Sequence, residues 1–209
     1  MAKRLFVTGF GPFPRMPRNP SAAVARRVAA APRWRRLGVE AEALVLPTVY
    51  AALDGALDPA LKAGRFDAVL MVGVASRAKR IRVERRAVNR ASVLFPDAAG
   101  RTPSRLAAPQ EPPHRTTRAA LAPALAALRR HGLTAVRSQD AGRYLCNAAY
   151  GRALAGSAPA LFVHIPKPPR PARGRRGRPR RLGWHDRLAA GLADVALGLL
   201  RQARARPPE

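Results

Sequence analysis

There is one cysteine in the 209 residues, so no internal disulfide can form. That suits a reducing compartment and leaves a single free thiol to explain. Aromatic residues reach only 5%, so a core drawn from this chain is mostly Ala, Val and Leu. No apolar run approaches the ~20 residues that a membrane-spanning helix needs. The apolar stretch after Lys3 and Arg4 is too short for the hydrophobic part of a secretion signal, and no small-residue cleavage site follows it. A cytoplasmic protein without a membrane segment is the expectation. Acidic residues are also scarce, 12 against 39 Lys and Arg, which sets the net charge at +27.

So large a charge raises the question of nucleic acid. Only four of the basic residues are Lys, and Ala and Pro are abundant, a pattern that GC-rich coding produces wherever a solvated basic residue is tolerated. Residues 167–181 (KPPRPARGRRGRPRR) carry eight basic and no acidic residues, yet the rest of the chain still holds +19. Attraction to polyanions is therefore expected to be general and non-specific.

The length fits one domain over 1–209. Lys3–Phe10, Val39–Leu46, 67–73, 134–138 and Ala160–Ile165 read as strands, several of them continuous apolar runs. Helices are predicted over 22–31 (with Ser21 as cap), 49–63, 117–131, 144–154 and 184–205. Residues 79–90 alternate polar and apolar, which predicts a hairpin or two short edge strands. Residues 91–116 hold five prolines and read as an irregular excursion. Segment 167–181 cannot join a core and should be mobile. Strands alternating with helices predict an α/β sheet covered on both faces. In such folds sites gather at the carboxyl ends of strands, where Gly9–Asn19, Gly73–Glu84, Asp140–Asn147 and His164–Pro166 would meet.

Cys146 follows a strand and a Gly-containing turn, which puts it in the first turn of a helix. The backbone N–H groups there favour thiolate, the form that attacks a carbonyl carbon. A lone cysteine is more often just a small buried hydrophobe. Of the four histidines, His164 stands at the end of an apolar strand and is the best placed general base. It could equally be a satisfied, half-buried histidine. His131, beside Gly132, reads as a helix-end partner for carbonyls. An orienting carboxylate would come from Glu84 or Asp140. By pattern alone Glu84, set among four arginines, reads first as a surface charge, and Asp140 as a turn residue.

The motifs SQDAGRYLCNAAY, LFVTGFGPF…NPS, VGVASRAKRIRVERRAVN and FVHIP stand in this order over residues 5–166. Together they resemble the pyroglutamyl peptidase I family. The resemblance implies a three-layer α/β/α sandwich with a mostly parallel sheet, and a cytosolic cysteine peptidase, often oligomeric, that uses no metal or cofactor. It implies Cys146 as nucleophile, His164 as base and Glu84 as orienter. It also implies Phe10 and Phe13 as holders of a flat lactam ring, with Asn19 supporting their loop. For both Phe the plainer reading is core packing. The substrate would be a small peptide with a pyroglutamyl N-terminus. Val74 stands where the family commonly has a Gln near the substrate, and Leu94 where it has an Arg. Those departures keep open a hydrolase of the same fold with another substrate preference. The charge keeps open a nucleic-acid-associated protein with a vestigial site.

Overall fold

A computed structural model describes residues 2–13, 16–103, 105–169 and 183–204. In chain order the strands are β1 (Lys3–Phe10), β2 (Val39–Leu46), β3 (Ala68–Val74), β4 (Ile81–Glu84), β5 (Arg86–Val88), β6 (His114–Thr116), β7 (Ala135–Ser138) and β8 (Ala160–Ile165). The helices are α1 (Pro20–Ala29), α2 (Arg33–Arg36), α3 (Asp58–Ala63), α4 (Leu121–Arg130), α5 (Leu145–Ala155) and α6 (Trp184–Arg204). A π-helical turn, Leu53–Leu57, leads into α3. Most of the strongly basic segment read as mobile, from residue 170 on, lies outside the described residues.

The main sheet runs β2-β1-β3-β8-β4-β7. Its first four strands are parallel, and β4 joins β8 antiparallel with β7 parallel to β4. The apolar runs of β3 and β8 become interior strands because both faces are covered. At the edge, β2 alternates, with Glu40 and Glu42 turned out beside Arg4. On one face α1, α4 and α6 close over Leu5, Val7, Leu70, Val72, Leu161 and Val163. On the other, α5 and the segment 53–63 close over Phe6, Val69, Met71 and Phe162. Each such Leu or Phe, fully removed from water, contributes about 1.5–3 kcal/mol.

Three expectations need correction. Asn19, not Ser21, caps α1: its Oδ1 accepts from the Ser21 N–H at 3.1 Å, and Pro20 takes the first helical position. The Ser21 hydroxyl is committed elsewhere, accepting from the Phe10 N–H at 3.0 Å. Gly9 permits that close contact, since a Cβ there would lie 2.5 Å from the Ser21 carbonyl oxygen. Second, residues 79–90 do form two short strands, but they make no hairpin, and only β5 is an edge strand. β4 lies inside the main sheet, and β5 leaves it to pair with β6. The alternation misled because the polar residue Glu84 faces a buried site rather than water. Third, β6 lies within the excursion read as irregular.

Candidate active site

Cys146 is the second residue of α5, and Tyr144 sits at its N-cap in an extended conformation. The first N–H groups of a helix lack intrahelical partners, so they face whatever lies at its start. Two side chains fix where α5 begins. Asn147 accepts from the Val88 N–H at 2.8 Å and donates to the Val88 carbonyl at 2.7 Å, tying α5 to β5. The Tyr150 hydroxyl donates to the Glu84 carbonyl at 3.2 Å, tying α5 to β4.

Beneath Cys146 the sheet offers Gly73, which pairs in register with His164. A Cβ at Gly73 would meet the Cys146 Sγ at 2.9 Å and the Phe162 ring at 2.7 Å. The thiol therefore occupies space that only glycine leaves open. Gly73→Ala is expected to keep the fold, at an overpacking cost of about 1–3 kcal/mol. Displacing Sγ by a fraction of an ångström to 1 Å should slow reactions at the thiol by roughly 10²-fold. Iodoacetamide alkylation beside a thermal melt checks this, and unchanged alkylation would refute the steric reading.

His164 and Phe162 share a strand face with ring centroids 4.7 Å apart, and His164 is buried. Its Nδ1 meets Glu84 Oε1 at 2.9 Å. A carboxylate only accepts, so Nδ1 carries the proton and Nε2 is left for the thiol. Burial alone would lower the imidazole's proton affinity. The charge and hydrogen bond of Cys146, with those of Glu84, outweigh burial and raise its pKa to about 9. Glu84 is fully buried. Because β4 runs against β8, Glu84 lies opposite Phe162 and reaches diagonally to His164. The expectation that all four segments meet at parallel carboxyl ends is thus corrected: β4 and β7 run the other way, and α5 returns the chain to the site.

The loop after β1 is tied down by Asn19, whose Nδ2 donates to the Gly11 carbonyl at 2.9 Å, and by Thr48, which donates to the same oxygen at 3.0 Å. Phe10 is buried, 6.4 Å from the Phe162 ring and in the cluster that Cys146 joins. Phe13 is half-buried and pairs through its backbone with Met16. Val74 is not brought to the site. Strand alternation turns it to the opposite face, against the α1–α4–α6 core. Leu94 is 79% exposed. Asp140 accepts from the Gly142 N–H at 3.1 Å, the turn role read from sequence. His131 differs from expectation by pairing with Asp194 at 2.8 Å rather than with carbonyls.

Sequence reasoning missed Tyr50, Tyr144, Asp97 and Arg82. Tyr50 and Tyr144 cross edge-on at 6.0 Å. Burial, then Tyr144, Asp97 and Cys146, push the Tyr50 phenol up to about 12. Tyr144 is raised by burial, then by Asp97 and Cys146. Both phenols keep their protons. Asp97 fixes Tyr50 and its own loop, accepting from the N–H groups of Tyr50, Ala99 and Arg101, each at 2.9 Å, while the Tyr144 hydroxyl donates to the Pro96 carbonyl at 3.0 Å. The Pro-Asp pair inside a proline-rich excursion was the available signal. A cleft of ≈ 600 Å³ passes here, lined by Tyr50, Asp97, Asn147, Arg90, Arg101 and Arg105 among others. Among the described residues no group of three or more His, Cys, Asp or Glu is placed to hold a metal ion. Nor is any helix long and apolar enough to cross a membrane.

A family model described as pyroglutamyl peptidase matches residues 3–180. A pyrrolidone-carboxylate peptidase of Chromobacterium violaceum is 36% identical over 171 residues, covering 78% of each chain. Pyrrolidone-carboxylate peptidase 1 of Ralstonia nicotianae is 33% identical over 195 residues, 90% of this chain and 88% of the relative. The crystal structure of pyrrolidone carboxyl peptidase from Thermus thermophilus superposes with a TM-score of 0.76 at 31% identity, over 93% of this chain and 98% of the other.

Proposed function

Since this chain belongs to the pyroglutamyl peptidase family, we propose that it is a cysteine peptidase that removes an N-terminal pyroglutamyl residue from small peptides. The observation that supports this best is the His164–Glu84 contact of 2.9 Å with the same imidazole against Cys146.

Cys146 Sγ, as thiolate, attacks the acyl carbon of the pyroglutamyl residue. The carbonyl π electrons move to oxygen, where the N–H groups at the start of α5 act as donors. As the oxyanion collapses, the C–N bond breaks and His164 gives its proton to the leaving amine. A water then attacks the thioester, loses a proton to His164, and the thiolate departs. Glu84 holds the ring in one tautomer and balances its charge. Phe10 and Phe13 flank the lactam ring, Asn19 holds their loop, and the leaving peptide lies along the cleft beside Tyr50. A thiol nucleophile suits a cytoplasmic, reducing setting. We take the chain as one catalytic domain, assembling as a homo-oligomer and meeting nucleic acid only non-specifically through its charge.

The test is hydrolysis of a pyroglutamyl coumarylamide beside alanyl and prolyl coumarylamides. Turnover confined to the first supports the assignment. Turnover of the others alone would point to a different substrate within the same fold.

A further inference from the structure

Glu84 is 0% exposed, and its Oε2 has no hydrogen-bond partner among the described residues. A carboxylate in such a place is costly unless cations stay beside it. Two do. One is His164. The other is Arg82, two residues earlier on the same face of β4, whose Nε stands 3.3 Å from the Glu84 Oε1. Arg82 is held in turn by Ser138, whose hydroxyl accepts from Nε at 3.1 Å and Nη2 at 2.6 Å. In register, Arg82 lies directly across from His164, and Ser138 directly across from Glu84. Four consecutive partners thus form one patch spanning β7, β4 and β8.

We infer that Arg82 is a positioning residue that keeps Glu84 a carboxylate, oriented on His164, through the part of the cycle in which the imidazole is neutral. The inference rests on the catalytic reading above. When His164 passes its proton to the leaving amine, Glu84 loses one counter-charge. A guanidinium does not deprotonate, so Arg82 remains. The other titratable groups facing this patch cannot replace it: Cys146 and Tyr150 come from α5 and carry no positive charge, and Tyr50 and Tyr144 face Cys146. Arg82 also opposes the imidazolium across the strands, so it eases release of the proton as well as stabilising the carboxylate.

The consequence has a sign. Without Arg82, a neutral His164 beside an uncompensated Glu84 is disfavoured, so His164 should hold its proton more tightly. Arg82 is 42% exposed, and solvent weakens its effect. An upward move of the His164 midpoint by roughly half to one pH unit is expected for R82Q. The alkaline limb of kcat/KM should follow it, with kcat down about 3–10-fold and KM unchanged. R82K keeps the charge and should leave the midpoint near the parent value.

The experiment is NMR titration of the His164 imidazole in the parent chain, R82Q and R82K, which needs no substrate, followed by kcat and KM against pH with a pyroglutamyl coumarylamide. A raised midpoint in R82Q but not R82K supports the inference. No shift, a downward shift, or the same shift in both variants overturns it. If R82Q does not fold, S138A loosens the guanidinium without removing its charge. A smaller upward shift is then expected, and none would overturn the role. Failure of the parent chain to cleave the amide would count against the proposed substrate, while the titration still decides the role of Arg82.

Discussion

Cys146→Ser is expected to fold like the parent chain and to lose at least about 10³-fold in kcat on a pyroglutamyl amide. The change is nearly isosteric at a half-buried position, so the packing over Gly73 and Phe162 should survive. What disappears is the nucleophile. A serine hydroxyl stays protonated near neutral pH, and the mechanism proposed above supplies no base stronger than His164 with which to activate it. The measurement is single-turnover hydrolysis beside circular dichroism and a thermal melt. Substantial residual turnover would mean that another group attacks the acyl carbon. The same variant should also have a less basic His164, because the Cys146 charge is a leading cause of its raised pKa.

Glu84→Gln is the second large effect. Gln is close in size, and its amide can either accept from Nδ1 or donate to it. Donation would trap the tautomer with the proton on Nε2, which cannot act as base toward the thiol. A fall of about 10²–10⁴-fold in kcat is expected. Stability should drop as well, by on the order of 3 kcal/mol near neutral pH, because Arg82 and the imidazolium lose a buried counter-charge. The pH dependence has a definite direction. His164 has its folded pKa raised from 6.5 to about 9. Its contribution to stability is therefore complete below about pH 6.5 and is lost as pH rises through 9. Glu84 is one of its causes, so the gap between parent and variant should be widest below pH 6.5 and narrow above pH 9, where only the share that comes from Arg82 remains. Urea denaturation at pH 6, 7.5 and 9.5 reads this directly. A gap that does not change with pH would show that Glu84 is not coupled to His164 protonation.

Val74 bears on how the substrate is read. From sequence it stood as a substrate-contacting position lacking a hydrogen-bonding group. In the fold its side chain joins the core on the far face of the sheet. Departure from the family's residue there thus places no apolar side chain beside Cys146, whose floor is Gly73. The surface around the thiol is set instead by Tyr50, Tyr144 and the excursion that carries Asp97.

Much of this molecule was determined by the sequence alone. Long apolar runs such as Leu5–Phe10 and Leu161–Ile165 specify buried parallel strands wherever they occur, because their burial needs both faces covered. The helices α1, α4, α5 and α6 announced themselves by periodicity and end signals, with boundaries off by no more than four residues. Cys146 and His164 could be singled out from their local setting, a thiol at a helix start and an imidazole at a strand end, but that setting left their plainer readings open and the ordered family motifs weighted the choice. Glu84 could not be placed on that basis. Its neighbours in sequence are arginines, so its pattern is that of a solvated charge. Only the docking of β4 between β8, antiparallel to it, and β7, parallel to it, buries it and aims it at His164, and only that docking brings Arg82 and Ser138 alongside. Pairing between strands some 80 residues apart depends on which edges remain free once the rest of the sheet has formed. Local alternation reports that one face is polar. Whether that face meets water or the buried imidazole of His164 is decided by the partner strand.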